Sequence, residues 1–128
     1  MELNDLISAS ADHERGAWLE LAHPVTGMLT GMRVKLAGPD SDTQAKARLR
    51  MADDLGEYAE LDGTLTAEKR EKARLDCLAR CFLDWDMTED GQLLPFTHKN
   101  VVRFLRAGTW VQAQVDAFAG DRRNFGGL

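Results

Sequence analysis

"AEKREKARLDCLARCFLDW", Ala67 to Trp85, is the stretch on which the fold turns. Thr66 stands before it as an N-cap. Leu75, Leu78, Phe82 and Trp85 then step by three, four and three residues, which lays one apolar stripe along a single face of a helix over 66–85. Glu68/Lys72 and Asp76/Arg80 have the acid-before-base order at i, i+4 that supports a solvated helix surface. Cys77 and Cys81 fall in the same run, where helical Cβ directions do not suit a disulfide, and they read as small packed hydrophobes. A metal half-site built on them would need two more ligands, and His13, His23 and His98 are scattered without ligand spacing.

Towards the N-terminus, "WLELAHPVTGMLTGMRVKL", Trp18 to Leu36, has two short alternating runs separated by Pro24 and Gly27. Met32, Val34 and Leu36 alternate with Arg33 and Lys35, the pattern of a half-buried strand, so a β-hairpin is expected over about 17–37. Two strands alone are marginal in water, and the apolar face must lie against helices. "GPDSD", Gly38 to Asp42, breaks the chain, and Asp40 or Ser41 caps a helix over about 41–60 with Ala45, Leu49, Ala52, Leu55 and Ala59 at helical spacing. Towards the C-terminus, Thr97 opens a helix over about 97–107 that closes at Gly108, and Thr109 opens a last one over about 109–119 that closes at Gly120. "DRRNF" then returns Phe125 to the body of the domain. The expected fold is mainly α: a single small helical domain over 1–128 with a short N-terminal β-hairpin.

Between those halves lies "DWDMTEDGQLLPFTHKNVVRFL", Asp84 to Leu105, whose acidic start resembles a calcium loop. An EF-hand needs oxygen ligands at positions 1, 3 and 5, Gly at 6 and a bidentate Glu at 12. Counting from Asp86 places Thr88, Asp90 and Gly91 correctly, but position 12 is Thr97, and Pro95 stands where the exiting helix must start. Counting from Asp84 puts Glu89 where Gly is required. The segment therefore reads as a polar turn, Glu89-Asp90-Gly91, between two apolar pieces.

With 128 residues, 44% hydrophobic and 29% charged, the chain is long and apolar enough for a real core. No apolar run is long enough to span a bilayer. "MELNDLISASADHERG" lacks both a basic start and a long apolar segment, so no secretory leader is read there, and a cytoplasmic protein is expected. A net charge of −5, with bases interleaved among acids, argues against a nucleic-acid partner. The one candidate recognition helix, "KREKARLDCLAR", carries acids of its own. Gly-x-Ser-x-Gly, His-Glu-x-x-His and phosphate-loop patterns are absent from the sequence, which favours a binding or assembly role over catalysis, with no cofactor expected. Trp18, Trp85 and Trp110 each adjoin an apolar periodic run and are expected as core anchors. Met28, Met32, Met51 and Met87, near element ends or turns, suggest a soft, adaptable apolar surface.

The order of these pieces resembles the tail assembly chaperones of long-tailed (siphovirus-type) bacteriophages and prophages. The likeness lies in a Trp-containing start, "HPVTG" and "GPDSD" early, a charged central helix pair, "DWDMTEDGQLLPFTHKNV", and a closing "WVQAQVDAFAGDRRNF". Its specific elements are the aspartate-rich turn, Pro95-Phe96-Thr97 leading into a helix, and the Asp121 to Phe125 segment. The resemblance implies a small, oligomerising, non-virion protein of the bacterial cytoplasm. Such a protein binds the long helical tape-measure protein, keeps it soluble and helps recruit tail-tube subunits. Two other readings are a small acidic metal-dependent phage enzyme or accessory factor using Asp84, Asp86, Glu89 and Asp90, and a DNA-binding regulator.

Overall fold

A computed structural model of the chain describes residues 1–126. In chain order the elements are α1 (Leu3–Arg15), β1 (Ala17–Ala22), β2 (Leu29–Leu36), α2 (Asp42–Tyr58), α3 (Ala67–Arg80) and β3 (Phe82–Asp86). A small hairpin of β4 (Thr88–Glu89) and β5 (Gln92–Leu93) follows, then α4 (His98–Arg106), α5 (Thr109–Ala119) and a 3₁₀ turn, Arg122–Phe125. Helix makes up 54% of the described residues, and the rest includes a three-stranded antiparallel sheet, so the class is mixed α/β.

The expected hairpin is present as β1 and β2, but the sheet has a third strand that the sequence reading missed. β3 pairs antiparallel with β2, giving the order β1-β2-β3. The helix expected over 66–85 stops at Arg80. There the Cys81 N–H donates to the Leu78 carbonyl (3.1 Å), a tightened last turn, and the Cys81 carbonyl accepts from Ala37 N–H (2.9 Å), which delivers the chain to the end of β2. The register explains why this strand looked helical. Phe82 faces Leu36, Asp84 faces Lys35 and Trp85 faces Val34, so β3 has one residue more than β2 across that interval. This bulge turns Phe82 and Trp85 to the same side although they are three residues apart. A helical step of three was thus produced by an irregular strand.

One face of the sheet carries the core. Leu21, Val34, Leu36, Phe82 and Trp85 meet Leu75 and Leu78 of α3, Val101 and Leu105 of α4, and Val111 and Val115 of α5. Phe104 sits edge-on to both Phe82 and Trp85, with ring centroids 6.3 and 6.0 Å away, and the Trp85 indole N–H donates to Leu94 O (2.9 Å). The Asp76 carboxylate joins α3 to α4, 3.0 Å from His98 Nε2, and accepts from Lys72 Nζ at 3.1 Å.

α2 is capped by Ser41, whose Oγ accepts from Gln44 N–H (3.1 Å) and donates to Gly38 O (2.6 Å). Its inward face differs from the expected Ala45–Leu49–Ala52–Leu55–Ala59 stripe. Gln44, Ala47 and Asp54 are buried instead, and Leu49 lies 69% exposed. This face is polar because two hydrogen-bonded side chains build it, one neutral and one charged. Gln44 donates to the Ala37 and Ala119 carbonyls (both 2.8 Å), and Asp54 accepts from Arg50 and Arg80 (both 3.2 Å). Among the described residues no helix is long and apolar enough to cross a membrane.

Candidate partner-binding surface

α1, which the sequence reading left unassigned, has two unlike halves. The C-terminal half is fastened to the segment between β2 and α2. Gly38 N–H donates to His13 O (2.9 Å), Asp40 N–H donates to His13 Nδ1 (2.9 Å), and Ser10 Oγ donates to Asp40 O (2.7 Å). Glu14 accepts from both the Thr43 N–H (3.1 Å) and its hydroxyl. The His13 ring is buried against Phe125, 5.4 Å between centroids. Two glycines make this fastening possible. At Gly38 a Cβ would lie 2.7 Å from both the His13 and Phe125 rings. At Gly16 (φ +78°) it would lie 2.5 Å from Leu36 O, in a backbone region that other residues rarely enter.

These contacts also set the electrostatics. The hydrogen bond from Thr43 holds the Glu14 carboxyl below its ordinary value. The Arg122 guanidinium, donating twice to Asp40 at 2.9 Å, does the same for Asp40.

The N-terminal half has no such cover. Leu3 is 70% exposed, Ile7 58% and Leu6 47%, in the same helix that buries Ala9 and His13. From Ile7 along the second half of the helix runs a groove of about 540 Å³ lined by Ile7, Ser10, Ala11, Glu14, Arg15 and Asp42. A second exposed apolar group lies at the β1–β2 turn, where Val25, Met28 and Leu29 point outward. That turn is well built all the same: His23 N–H donates to Met28 O (2.7 Å), and His23 Nδ1 accepts from Val25 N–H at 3.2 Å. α1 feeds the start of β1 and the turn follows its end, so the six-residue strand, about 20 Å long, separates the C-terminal end of α1 from the turn.

The acidic residues singled out in the sequence do not converge. Asp84 and Asp86 stand on the exposed side of β3, in register with Lys35 and Arg33. Glu89 is ion-paired to Arg103. Asp90 (φ 53°) and Gly91 (φ 78°) make the turn between β4 and β5. Thr97 caps α4, accepting from Asn100 N–H at 3.2 Å. Among the described residues no three His, Cys, Asp or Glu side chains are grouped to hold a metal.

The three histidines sit apart: His13 in α1 against Phe125, His23 in the hairpin turn, His98 on Asp76. Cys77 and Cys81 line a cleft with Arg48, Met51, Arg74 and Asp116, and burial pushes the Cys81 thiol up to about 12, which leaves it protonated at neutral pH. Of the tryptophans, Trp85 is buried and Trp110 packs half-buried against the core. Trp18 corrects the expectation of three core anchors: it is 39% exposed, under the Arg33 guanidinium at 4.9 Å. Of the four methionines expected to offer a soft surface, Met28 is exposed (71%) and Met87 is buried.

No protein-family model, curated protein or solved structure matches the chain. The signal for α1 was present in the sequence as Leu3, Leu6, Ile7, Ser10 and Ala11 at helical spacing before Gly16. It was masked by the absence of a Ser, Thr, Asp or Asn N-cap. Glu2 occupies that position, and its N–H donates to the Asp5 carboxylate at 2.7 Å.

Proposed function

We propose that this chain is an assembly chaperone of the phage-tail type. It acts in the bacterial cytoplasm, associates with itself, binds a long helical tape-measure protein to keep it soluble, and helps recruit tail-tube subunits. The single observation that carries the reading is the placement of apolar side chains in solvent on two ordered elements, the first half of α1 and the β1–β2 turn. Exposed apolar groups on an ordered frame are the usual mark of a protein-binding surface. A tape-measure protein offers the matching chemistry, because before the tube surrounds it, it presents long amphipathic helical stripes that many copies of a small domain can cover together. The net charge of −5 keeps such a coated complex from aggregating.

The test is co-expression with the neighbouring open reading frames followed by pull-down. The reading expects the wild-type chain to retain a long helical protein, and a Met28→Asp/Leu29→Asp variant of unchanged melting temperature to retain less of it. Retention of nothing by the wild type would overturn the reading.

A further inference from the structure

We propose that the open edge of β1 is where this chain associates with itself: a second copy adds its own β1 antiparallel, about a two-fold axis at Trp18, and the two three-stranded sheets become one. This pairing rests on the reading of the chain as a self-associating assembly protein and supplies its surface and register.

Hydrogen bonding along β1 fixes which peptide groups face outward, because successive residues of a strand turn their N–H and C=O to opposite sides. His23 N–H donates to Met28 O (2.7 Å) and Leu21 O accepts from the Thr30 hydroxyl (2.8 Å), so the odd-numbered residues of β1 bond toward β2. Ala22 points the other way. There the Gln114 carboxamide of α5 accepts from its N–H (2.9 Å) and donates to its carbonyl (2.8 Å), as the peptide groups of a neighbouring strand do. Gln114 thus stands in for an added strand at Ala22. Trp18 and Glu20 share the outward direction, and among the described residues no group bonds their N–H or C=O. The Gly16 carbonyl lies on the same edge, opposite in its peptide plane to the Ala17 N–H that faces Leu36.

The other edge of the sheet is closed. Trp85 N–H donates to the adjoining Asp84 carboxylate (2.8 Å), and Leu94 N–H donates to Met87 O (2.8 Å). Such closure blunts an edge, and an edge without it takes a strand.

The blocked ends of the β1 edge select a second copy in one register. With Trp18 opposite Trp18 of the second copy, the two exchange both hydrogen bonds, and each Glu20 N–H meets a Gly16 carbonyl. The chain leaves the strand at Gly16, just before the place that Gln114 fills. The next register would set Gly16 against Ala22, where Gln114 already sits, and the one after would set Glu20 against Glu20, like charges face to face. The register on the other side leaves the Glu20 N–H without a strand residue opposite it. In the chosen register the Trp18 rings, 39% exposed and each under its own Arg33 at 4.9 Å, lie side by side on the outer face. Ala17 falls beside Leu19 of the second copy on the inner face, where Leu19 already packs on the core.

The register is read by intermolecular nuclear Overhauser contacts in a mixture of isotope-labelled and unlabelled chains. The expected contact joins the α-protons of Ala17 and Leu19 across the two copies. Sedimentation velocity should show a concentration-dependent dimer for the wild type, with the Trp18 and Glu20 amides protected from exchange in the dimer and unprotected on dilution. Glu20→Pro removes only an outward N–H beyond what Glu20→Ala removes. It should therefore raise the dimer dissociation constant about tenfold over Glu20→Ala, with a circular-dichroism melt close to that of Glu20→Ala. A Leu19–Leu19 contact in place of Ala17–Leu19, a Glu20→Pro dimer as tight as Glu20→Ala, or a wild type that stays monomeric at every concentration would overturn the proposal. So would a Glu20→Pro melt far below that of Glu20→Ala, which would place this N–H in the ladder with β2. These measurements use this chain alone. A monomeric chain that still retains the helical partner removes the β1 pairing and leaves the chaperone reading standing, and a dimer that retains nothing does the reverse.

Discussion

α1 and α4 are both short amphipathic helices, and the fold treats them in opposite ways. α4 places Val101 and Leu105 at 1% and 0% exposure against the sheet and α3. α1 leaves Leu3, Leu6 and Ile7 in solvent and is held instead by hydrogen bonds to Gly38, Asp40 and Thr43 around one buried histidine. An isolated helix of α1's length is marginal in water, so its first half depends on the polar fastening of its second. A helix that the core needs hides its apolar face, and a helix with that face outward is available for something else.

The largest expected contrast is in stability. Phe82→Ala and Leu105→Ala each remove a buried side chain from the junction of sheet and helices and should cost about 2–5 kcal/mol in urea denaturation. If either costs no more than a surface change, the division between the two helices fails.

Gly38→Ala strikes the fastening of α1. The added methyl would press on the His13 and Phe125 rings, and overpacking of this kind costs about 1–3 kcal/mol. Amide exchange should quicken through α1 and the 3₁₀ turn while α4 stays protected. Uniform quickening across both helices would show that α1 is part of the same cooperative unit.

Acid should separate them further. Thr43 and Arg122 hold the carboxyls of Glu14 and Asp40 below their ordinary values. The stabilisation they give is present above their unfolded pKa values, about 4, and is lost as pH falls through the lower folded values. Backbone NMR relaxation should therefore show α1 loosening below about pH 4, while α4, which loses the Asp76 contact to His98 as pH falls too, is still held by buried Val101 and Leu105. The smallest effect is at the exposed end: Leu3→Ala should change monomer stability by less than about 0.5 kcal/mol. A loss near that of Leu105→Ala would mean that Leu3 is packed.

Much of the fold was legible because the signals were local. The β1–β2 hairpin was announced by strict alternation, and α4 and α5 by Thr97, Gly108 and Gly120 at their ends. Three features were not, each for a physical reason. β3 was hidden because a bulge gave Phe82 and Trp85 a helical spacing of three. The inward face of α2 was hidden because Gln44 and Asp54 are buried through partners distant in sequence, Ala119 and Arg80. The candidate surface was hidden because exposure is decided by what fails to cover a residue. Leu3 and Leu105 look alike in sequence, and only the tertiary arrangement distinguishes them.

The most direct test of the central claim is the soluble fraction of the longest helical protein encoded nearby, measured with and without this chain at low and high salt. The chaperone account predicts a clear gain in partner solubility that survives high salt, because covering apolar stripes depends little on charge. No gain, or binding to DNA alone that vanishes as salt rises, would contradict it.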